Sequence, residues 1–234
     1  EGLYIEKLLE FGSQNKNKLV LIPTDDRNAL VLAKYQQQLA KYYYSYVPDF
    51  NKVEILVNKR RFYHQLAYMG IPHPTTYFPD DLTQLFLIAT QIEYPFIIKP
   101  VYSLEFQEKF GCKCFTIASP VDLAQALKRL RADKTEVLVQ QIIEGDEFYS
   151  FYSYFDKDSN PMAICGYDKI RHYPVRFGSG SLCCSIKRQE PINTAVEIIK
   201  KLGYSGIAEP EFIKDPKDGK YKILEINVRT TRQN

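Results

Sequence analysis

Two stretches near the carboxyl end of the chain concentrate oxygen ligands: Gly206-Ile-Ala-Glu-Pro-Glu-Phe-Ile213 and Lys222-Ile-Leu-Glu-Ile-Asn-Val-Arg229. Side chains alternate faces along a strand. Glu209 therefore shares a face with Glu211, and Glu225 shares one with Asn227 and, at the strand's end, Arg229. Between the stretches, Asp215-Pro-Lys-Asp-Gly219 has Pro and Gly where a tight reversal uses them. Folded as a hairpin, the segment sets Glu211 opposite Glu225 and Glu209 opposite Asn227, with facing Cβ atoms about 4.5–5.5 Å apart. Like charges that close repel, so a positive partner is expected between them. A hard divalent cation held by one or two carboxylates and a nucleotide's phosphates meets that need. The alternative is a solvated acidic face balanced by Lys220 and Lys222. Those lysines point inconsistently with the acids, which favours the metal.

Composition bounds the function. With 234 residues, 45% hydrophobic and 25% charged, the chain is globular and long enough for one large or two small domains. The balance of 31 basic against 28 acidic side chains, a net charge of +3, argues against nucleic acid or an anionic membrane as partner. No apolar run approaches the roughly 18 residues of a membrane span, and no secretory leader is read at the start. The chain opens on Glu1 and stops soon after Arg229, the pattern expected of a fragment. Five cysteines, Cys112, Cys114, Cys165, Cys183 and Cys184, lack the spacing of structural zinc sites. They are expected as free, mostly buried thiols of a cytoplasmic protein. The three histidines are scattered, and no dyad with Cys or Ser supports hydrolase chemistry.

The elements that must position these residues follow from pattern. Residues 18–22 read as a buried strand, and Thr24 as the cap of a helix running to about Tyr42. The tyrosine-rich stretch 42–46 with Pro48 marks a boundary. A helix opens near Asn58, carries Phe62, Leu66 and Met69, and ends at Gly70. Another spans about 80–92. Phe96-Ile-Ile-Lys99-Pro100 is a short apolar strand with 115–117 as its partner. Ser119-Pro-Val-Asp122 starts a helix. Strands follow at 137–143, 148–155 and 161–168, then a loop over 173–181, a helix over about 191–202 stopped by Gly203, and the hairpin.

This order of parts resembles the ATP-grasp superfamily over residues 58 to 234. The landmarks are Asn58-Lys59 opening a helix, Ile97-Ile-Lys-Pro100, Gln140-Gln-Ile-Ile-Glu-Gly-Asp-Glu147, Glu211-Phe212 and Glu225-Ile-Asn-Val-Arg229. Within it, Lys99-Pro-Val-Tyr-Ser103, the Gly206 stretch and Glu225-Ile-Asn-Val-Arg-Thr-Thr-Arg-Gln233 are most similar to carboxylate–amine ligases of the D-aspartate ligase kind. The resemblance implies an α+β ATP-grasp fold, two subdomains gripping ATP between antiparallel sheets, preceded by part of a small α/β domain. The boundaries it implies are 1–57 for that preceding domain, 58–138 for the central subdomain and 139–234 for the C-terminal one.

It also implies roles. Lys59 and Lys99 would meet phosphate, against the alternative of solvated lysines. Gln140, Gln141 and Ile143 would line the adenine hinge, and Glu147 would bind ribose hydroxyls. At Gln140 this chain departs from the family's commoner acid. The loop 102–113 is poor in glycine for a phosphate-wrapping flap. Gly111 and Lys113 would still close on phosphate there, with Phe106 and Phe110 shielding the site, and such a flap should be mobile. Lys169-Ile-Arg171 follows the strand 161–168, and its period-two spacing is expected to put both cations on one face, one for the transferred phosphate and one for an acidic substrate; two surface cations are the alternative. Residues 177–181 are either a substrate cover or an ordinary turn. Glu211, Glu225 and Asn227 would hold Mg2+, and Arg229 would stabilise charge on an acyl phosphate.

The implied activity is an ATP- and Mg2+-dependent carboxylate–amine ligase. Its substrates would be a small-molecule acid and an amine, such as D-aspartate and a peptidoglycan precursor. Phosphorylating a carboxylate gives it a leaving group, and positioning with charge neutralisation accounts for the catalysis. The rivals are another ATP-grasp enzyme, a carboxylase or kinase, and an ATP-binding protein without chemistry. The oligomeric state is not legible.

Overall fold

The computed structural model describes residues 1–45, 47–132, 135–175 and 177–231. Tyr46 of the tyrosine-rich boundary, Arg176 of the 173–181 loop, and Arg232 and Gln233 at the end of the resembling motif lie outside the described residues. The first stretch holds α1 (Gly2–Ser13), β1 (Leu19–Leu21), α2 (Asp26–Lys34), α3 (Gln36–Leu39), β2 (Tyr43–Ser45) and α4 (Phe50–Val57). β1 and β2 pair in parallel, Leu19 opposite Tyr43, a small α/β unit.

The sequence reading differs here in three ways. Asp25, not Thr24, caps α2: its carboxylate accepts from Asn28 N at 2.7 Å. The helix breaks at Tyr35 instead of running to Tyr42. The tyrosine run expected as a boundary is the second strand. Tyr43 packs inward and Tyr44 outward, as a strand's alternation requires.

Next come α5 (Lys59–Met69), β3 (Thr76–Tyr77), α6 (Leu82–Ala89), β4 (Phe96–Pro100), α7 (Ser103–Phe110), β5 (Phe115–Ile117), α8 (Pro120–Arg131) and β6 (Val137–Gln141). The strands form an antiparallel sheet in the order β3-β6-β4-β5. Caps fix the helix ends. Asn58 accepts from Arg61 N at 3.0 Å, and Gly70 closes α5 in the left-handed region at φ 70°, which glycine adopts without cost. Ser119 caps α8 with Pro120 in its first turn.

The expected flap is overturned. Residues 103–110 are helix α7, and Phe106 is fully buried, its ring 4.9 Å from that of Phe115. It belongs to the core beneath the small sheet with Phe96, Ile98 and Val139, so it does not shield a ligand.

The last stretch holds β7 (Phe148–Phe155), β8 (Pro161–Tyr173), β9 (Ser179–Ser185), α9 (Gln189–Leu202), β10 (Gly206–Lys214) and β11 (Tyr221–Asn227). They build an antiparallel five-stranded sheet in the order β11-β10-β7-β8-β9. β8 runs five residues beyond its expected end at 168, and part of the expected loop 173–181 is the start of edge strand β9. Cys183 and Cys184 lie on that edge strand. All five cysteines are free, but none is buried: Cys165 and Cys184 are exposed and the others half-buried. Phe62, Tyr63 and Leu66 of α5 join Phe151, Phe212 and the apolar stripe of α9 in the larger core, so α5 lies against the same body as the hairpin.

Candidate active site

The hairpin forms in the register its alternation dictates: Glu209 faces Asn227 and Glu211 faces Glu225, with a bulge just after Glu211. Pro210 separates the two acids on β10. It has no N–H to give, yet the strand is central, flanked by β11 and β7. Asn227 ties the acids together. Its Nδ2 donates to Glu209 Oε2 at 3.2 Å and to Glu211 Oε1 at 3.1 Å, while its Oδ1 accepts from Arg229 Nη2 at 3.1 Å.

Cations from three elements meet these oxygens. Lys169 of β8, itself buried, donates to Glu211 Oε2 at 2.5 Å. Lys59, in the first turn of α5, is 3.5 Å from Glu225 Oε2 and donates to Ser103 Oγ at 2.7 Å. Arg229 reaches past Asn227 to Asp26, Nε to Oδ1 at 2.9 Å.

The electrostatics follow from this arrangement. Burial works to raise the Glu225 carboxyl, but Lys59, Lys99, Lys113 and Arg229 outweigh it and hold it at about 2. Burial and the neighbouring charge of Glu211 push Glu209 up to about 7. Burial also works to discharge Lys169, and Glu211 beside it more than compensates, so its pKa is raised. Glu225 and Glu209, on neighbouring strands but not opposite each other, thus titrate apart because one is ringed by cations and the other is enclosed.

Lys99 emerges from β4, where burial lowers its pKa, and donates to Gln140 Oε1 at 3.0 Å. Gln140, 1% exposed, passes its amide on to Thr76 Oγ1 at 2.8 Å. The Gln that replaces the commoner acid thus gives Lys99 a neutral partner. Gln141 N donates to Thr75 O at 3.0 Å, and Ile143 is buried. Glu147 lies apart from the acids and pairs with Lys214 at 3.2 Å beside a cavity of about 590 Å³ that Glu144 and Gly145 also line. Lys113 is exposed on the turn after α7, yet its charge acts on Glu225.

Arg171 does not join the cluster. Pairing between β8 and β9 is irregular on both sides of it, which breaks the alternation that period two assumes. Lys169 is buried while Arg171 is exposed. Sequence reasoning placed Glu209 but gave it no role, and it missed Tyr167, Ser103 and Asp26. The Tyr167 hydroxyl donates to Glu209 Oε1. Only fold-level pairing brings these groups in.

The Glu211 and Glu225 carboxylates fit a hard divalent cation; the Asn227 amide, as placed, turns its nitrogen to Glu211 and its oxygen to Arg229. Among the described residues no group of three or more His, Cys, Asp or Glu side chains gathers as a metal centre by itself.

Two antiparallel sheets with helical backing, lysines from one side facing carboxylates of the other, define a nucleotide-gripping α+β protein. Residues 58–234 match the family described as carbamoyl-phosphate synthase L chain, ATP binding domain, and the chain belongs to that family within the ATP-grasp superfamily. It is 26% identical to a D-aspartate ligase from Enterococcus faecium, over 99% of this chain and 59% of that protein; it spans less than two thirds of that relative. The fold resembles the biotin carboxylase domain of a Hydrogenobacter thermophilus 2-oxoglutarate carboxylase, solved with MgADP and bicarbonate. The TM-score is 0.73 at 16% identity, over 97% of this chain and 51% of that one. An L-amino acid ligase from Bacillus licheniformis aligns with a TM-score of 0.62 at 16% identity, covering 88% and 53%. At these identities the two structures speak to fold. No helix among the described residues is long and apolar enough to cross a membrane.

Proposed function

We propose that the chain is the ATP-binding core of an ATP- and Mg2+-dependent carboxylate–amine ligase, which makes an amide through an acyl phosphate. The observation that carries this is the facing of Glu211 and Glu225 within a ring of Lys59, Lys99, Lys169 and Arg229. Phosphoryl transfer needs positioning and charge neutralisation more than a protein nucleophile, and the site offers cations and oxygen ligands. When bound, Mg2+ would neutralise phosphate charge. Glu211, Glu225 and Asn227 would hold it.

In this reading Lys59, Lys99 and Lys113 meet phosphate. The hinge at Gln140, Gln141 and Ile143 meets adenine, and Glu147 the ribose. Lys169 releases Glu211 to face the transferred group. Arg229 orients the acid and stabilises its developing charge, and Arg171 approaches an acidic substrate from the solvent side. The nucleotide lies between 58–138 and 139–234, with 1–57 closing the substrate end through Asp26. The finer assignment, D-aspartate joined to the amine of a peptidoglycan precursor in the cytoplasm, is supported by the resemblance to D-aspartate ligase over the full chain.

Glu225→Gln tests the reading. Phosphate release from Mg-ATP that depends on both an acid and an amine is expected of the parent, and should fall about 10²–10³-fold in the variant. Turnover that requires bicarbonate and ignores amines would overturn it in favour of a carboxylase.

A further inference from the structure

Glu54, on the last turn of α4, is a buried acid with no part in the carboxylate cluster. Its Oε1 accepts from the Tyr102 hydroxyl at 3.0 Å and from Asn58 Nδ2 at 3.1 Å. The same Asn58 nitrogen donates to the Tyr102 oxygen at 2.8 Å. Arg61 Nη1 lies 2.8 Å from Oε2, an ion pair without hydrogen-bond alignment. A carboxylate, an amide and a phenol thus close a ring of hydrogen bonds. The tyrosine hydroxyl has one proton to give, and it goes to the acid. Asn58 is both the end of α4 and the N-cap of α5, so the ring sits one residue before Lys59.

The ring is one rung of a longer seam. Where the chain leaves β4, Val101 O accepts from Lys59 N at 3.2 Å, and Ser103 Oγ accepts from Lys59 Nζ at 2.7 Å. Tyr102, between them, meets Asn58 and Glu54. Residues 101 to 103 therefore grip the consecutive pair Asn58 and Lys59. Val101 is two residues beyond Lys99, so the seam also sets the spacing of two lysines assigned to phosphate. A lysine is a point charge on a flexible four-carbon stem. Ser103, a neutral acceptor, holds the Lys59 ammonium 3.5 Å from Glu225 without cancelling its charge. Phe106 anchors the middle of α7 in the core, but the start of that helix has no side-chain cap and is held through Tyr102.

We propose that Glu54 and Tyr102 are positioning residues for Lys59: the buried carboxylate holds the tyrosine hydroxyl, the tyrosine fixes Ser103 at the start of α7, and Ser103 keeps the ammonium beside Glu225. The assignment rests on the nucleotide reading above. It places part of phosphate recognition in an acid and a phenol that lie behind the lysine. A charge held in place before its ligand arrives spares binding the cost of ordering a long side chain.

Two small deletions test it. Tyr102→Phe removes the hydroxyl and keeps the ring, and Ser103→Ala removes the acceptor. Affinities for ATP and for AMP, which keeps adenine, ribose and one phosphate, are measured by calorimetry with Mg2+ present. Both variants are expected to weaken ATP about tenfold, the scale of one hydrogen bond to a charged group, and to leave AMP within about twofold. In a Lys59→Met background, Tyr102→Phe should add less than about twofold, because no ammonium remains to be misplaced. Equal weakening of ATP and AMP, or the same loss of ATP with and without Lys59, would make the ring a prop for the fold and overturn the role. Unchanged ATP affinity in Tyr102→Phe overturns it as well.

A second readout needs no nucleotide. The Lys59 ammonium resonance of the free protein, assigned by its loss in Lys59→Met, is followed by NMR. Its exchange with solvent should speed at least about tenfold in Tyr102→Phe and in Ser103→Ala alike. Exchange that speeds in Ser103→Ala but not in Tyr102→Phe cuts the tyrosine out and sinks the positioning role. A parent that binds neither ATP nor AMP, while Tyr102→Phe still speeds the exchange, would sink the nucleotide reading alone and leave the hold on Lys59 standing.

Discussion

Arg229 and Asp26, 203 residues apart in sequence, form an ion pair with Nε 2.9 Å from Oδ1, each side chain a little over a fifth exposed. The contact joins the small amino-terminal unit to the end of the hairpin. Beside it, Thr230 N donates to Pro23 O at 3.2 Å. The guanidinium assigned to the acid substrate is thus held between Asp26 and the Asn227 amide oxygen. Burial works to lower the Arg229 pKa, and Asp26 with Glu225 raises it instead.

Breaking this pair should separate stability from function. Asp26→Ala removes one partner of a mostly buried ion pair, a cost of about 1–3 kcal/mol, so the urea midpoint should fall modestly. It also frees the guanidinium from its fixed position. Misplaced catalytic groups lose rate as well, on the order of 10²-fold for a displacement of about 1 Å. We expect kcat to fall at least about tenfold with little loss of nucleotide affinity, measured by steady-state kinetics and calorimetry. Unchanged kcat would show that the pair is structural only.

Glu209 predicts a pH dependence of the metal-free protein. Burial and Glu211 raise its pKa from 4.5 to about 7. Tyr167 and Lys169 of β8, and Glu225 and Asn227 of β11, also face it. Below the unfolded value both states are protonated and the group is silent. Between about 4.5 and about 7 the folded protein binds the proton that the unfolded chain has lost. Stability from this group therefore falls as pH rises through that window, by up to about 1.4 kcal/mol per pH unit. Urea midpoints should show the decline, and Glu209→Gln should flatten it. Glu225 acts in the opposite sense: its depressed value supplies stability present above 4.5 and lost as pH falls toward about 2.

Much of this site was legible because strand alternation and turn chemistry are local. The hairpin register follows from the period-two spacing of Glu209, Glu211, Glu225 and Asn227 around Asp215-Pro-Lys-Asp-Gly219, and the structure shows that register. The caps at Asn58, Gly70 and Ser119 are local for the same reason.

What was illegible depends on tertiary packing. Residues 103–110 read as a flap because a resemblance supplied the expectation, yet Phe106 finds a core only as helix. Strand β9, built of Ser, Gly and Cys apart from Leu182, carries no pattern and exists through pairing with β8. Arg171 leaves the face of Lys169 through irregular pairing that no spacing reveals. Helices α1 and α4 went unread, and Asp26 joins the site only through their unit's packing against the hairpin.

Lys99 should show a conflict between stability and binding. Burial disfavours its charge and lowers its pKa, while Glu225 partly offsets this. Its direct partner is the neutral Gln140 oxygen at 3.0 Å. A half-buried cation with a neutral partner costs stability that an apolar side chain avoids. Lys99→Met should leave the melting temperature of the free protein unchanged or raised. The same variant should abolish most of the stabilisation by Mg-ATP, about 2.7 kcal/mol for the parent at a ligand excess of 100 Kd. A variant that melts like the parent in saturating Mg-ATP would remove Lys99 from the phosphate site.

Gly145 sits where the hinge segment leaves β6 and crosses the hairpin. A Cβ built there would lie 2.4 Å from the Lys214 carbonyl oxygen and 3.4 Å from the Ile213 side chain. The first contact is with backbone of β10, which its pairing with β7 and β11 holds in place, so the hinge must give way. Overpacking of this kind costs about 1–3 kcal/mol. Because Glu147 pairs with Lys214 beside the same cavity, displacement also moves the residue assigned to ribose. Gly145→Ala should therefore lower the urea midpoint and weaken adenine nucleotides, while inorganic triphosphate, which has no ribose to lose, binds as to the parent. Equal weakening of both ligands would place Gly145 in general stability and detach the hinge from nucleoside recognition.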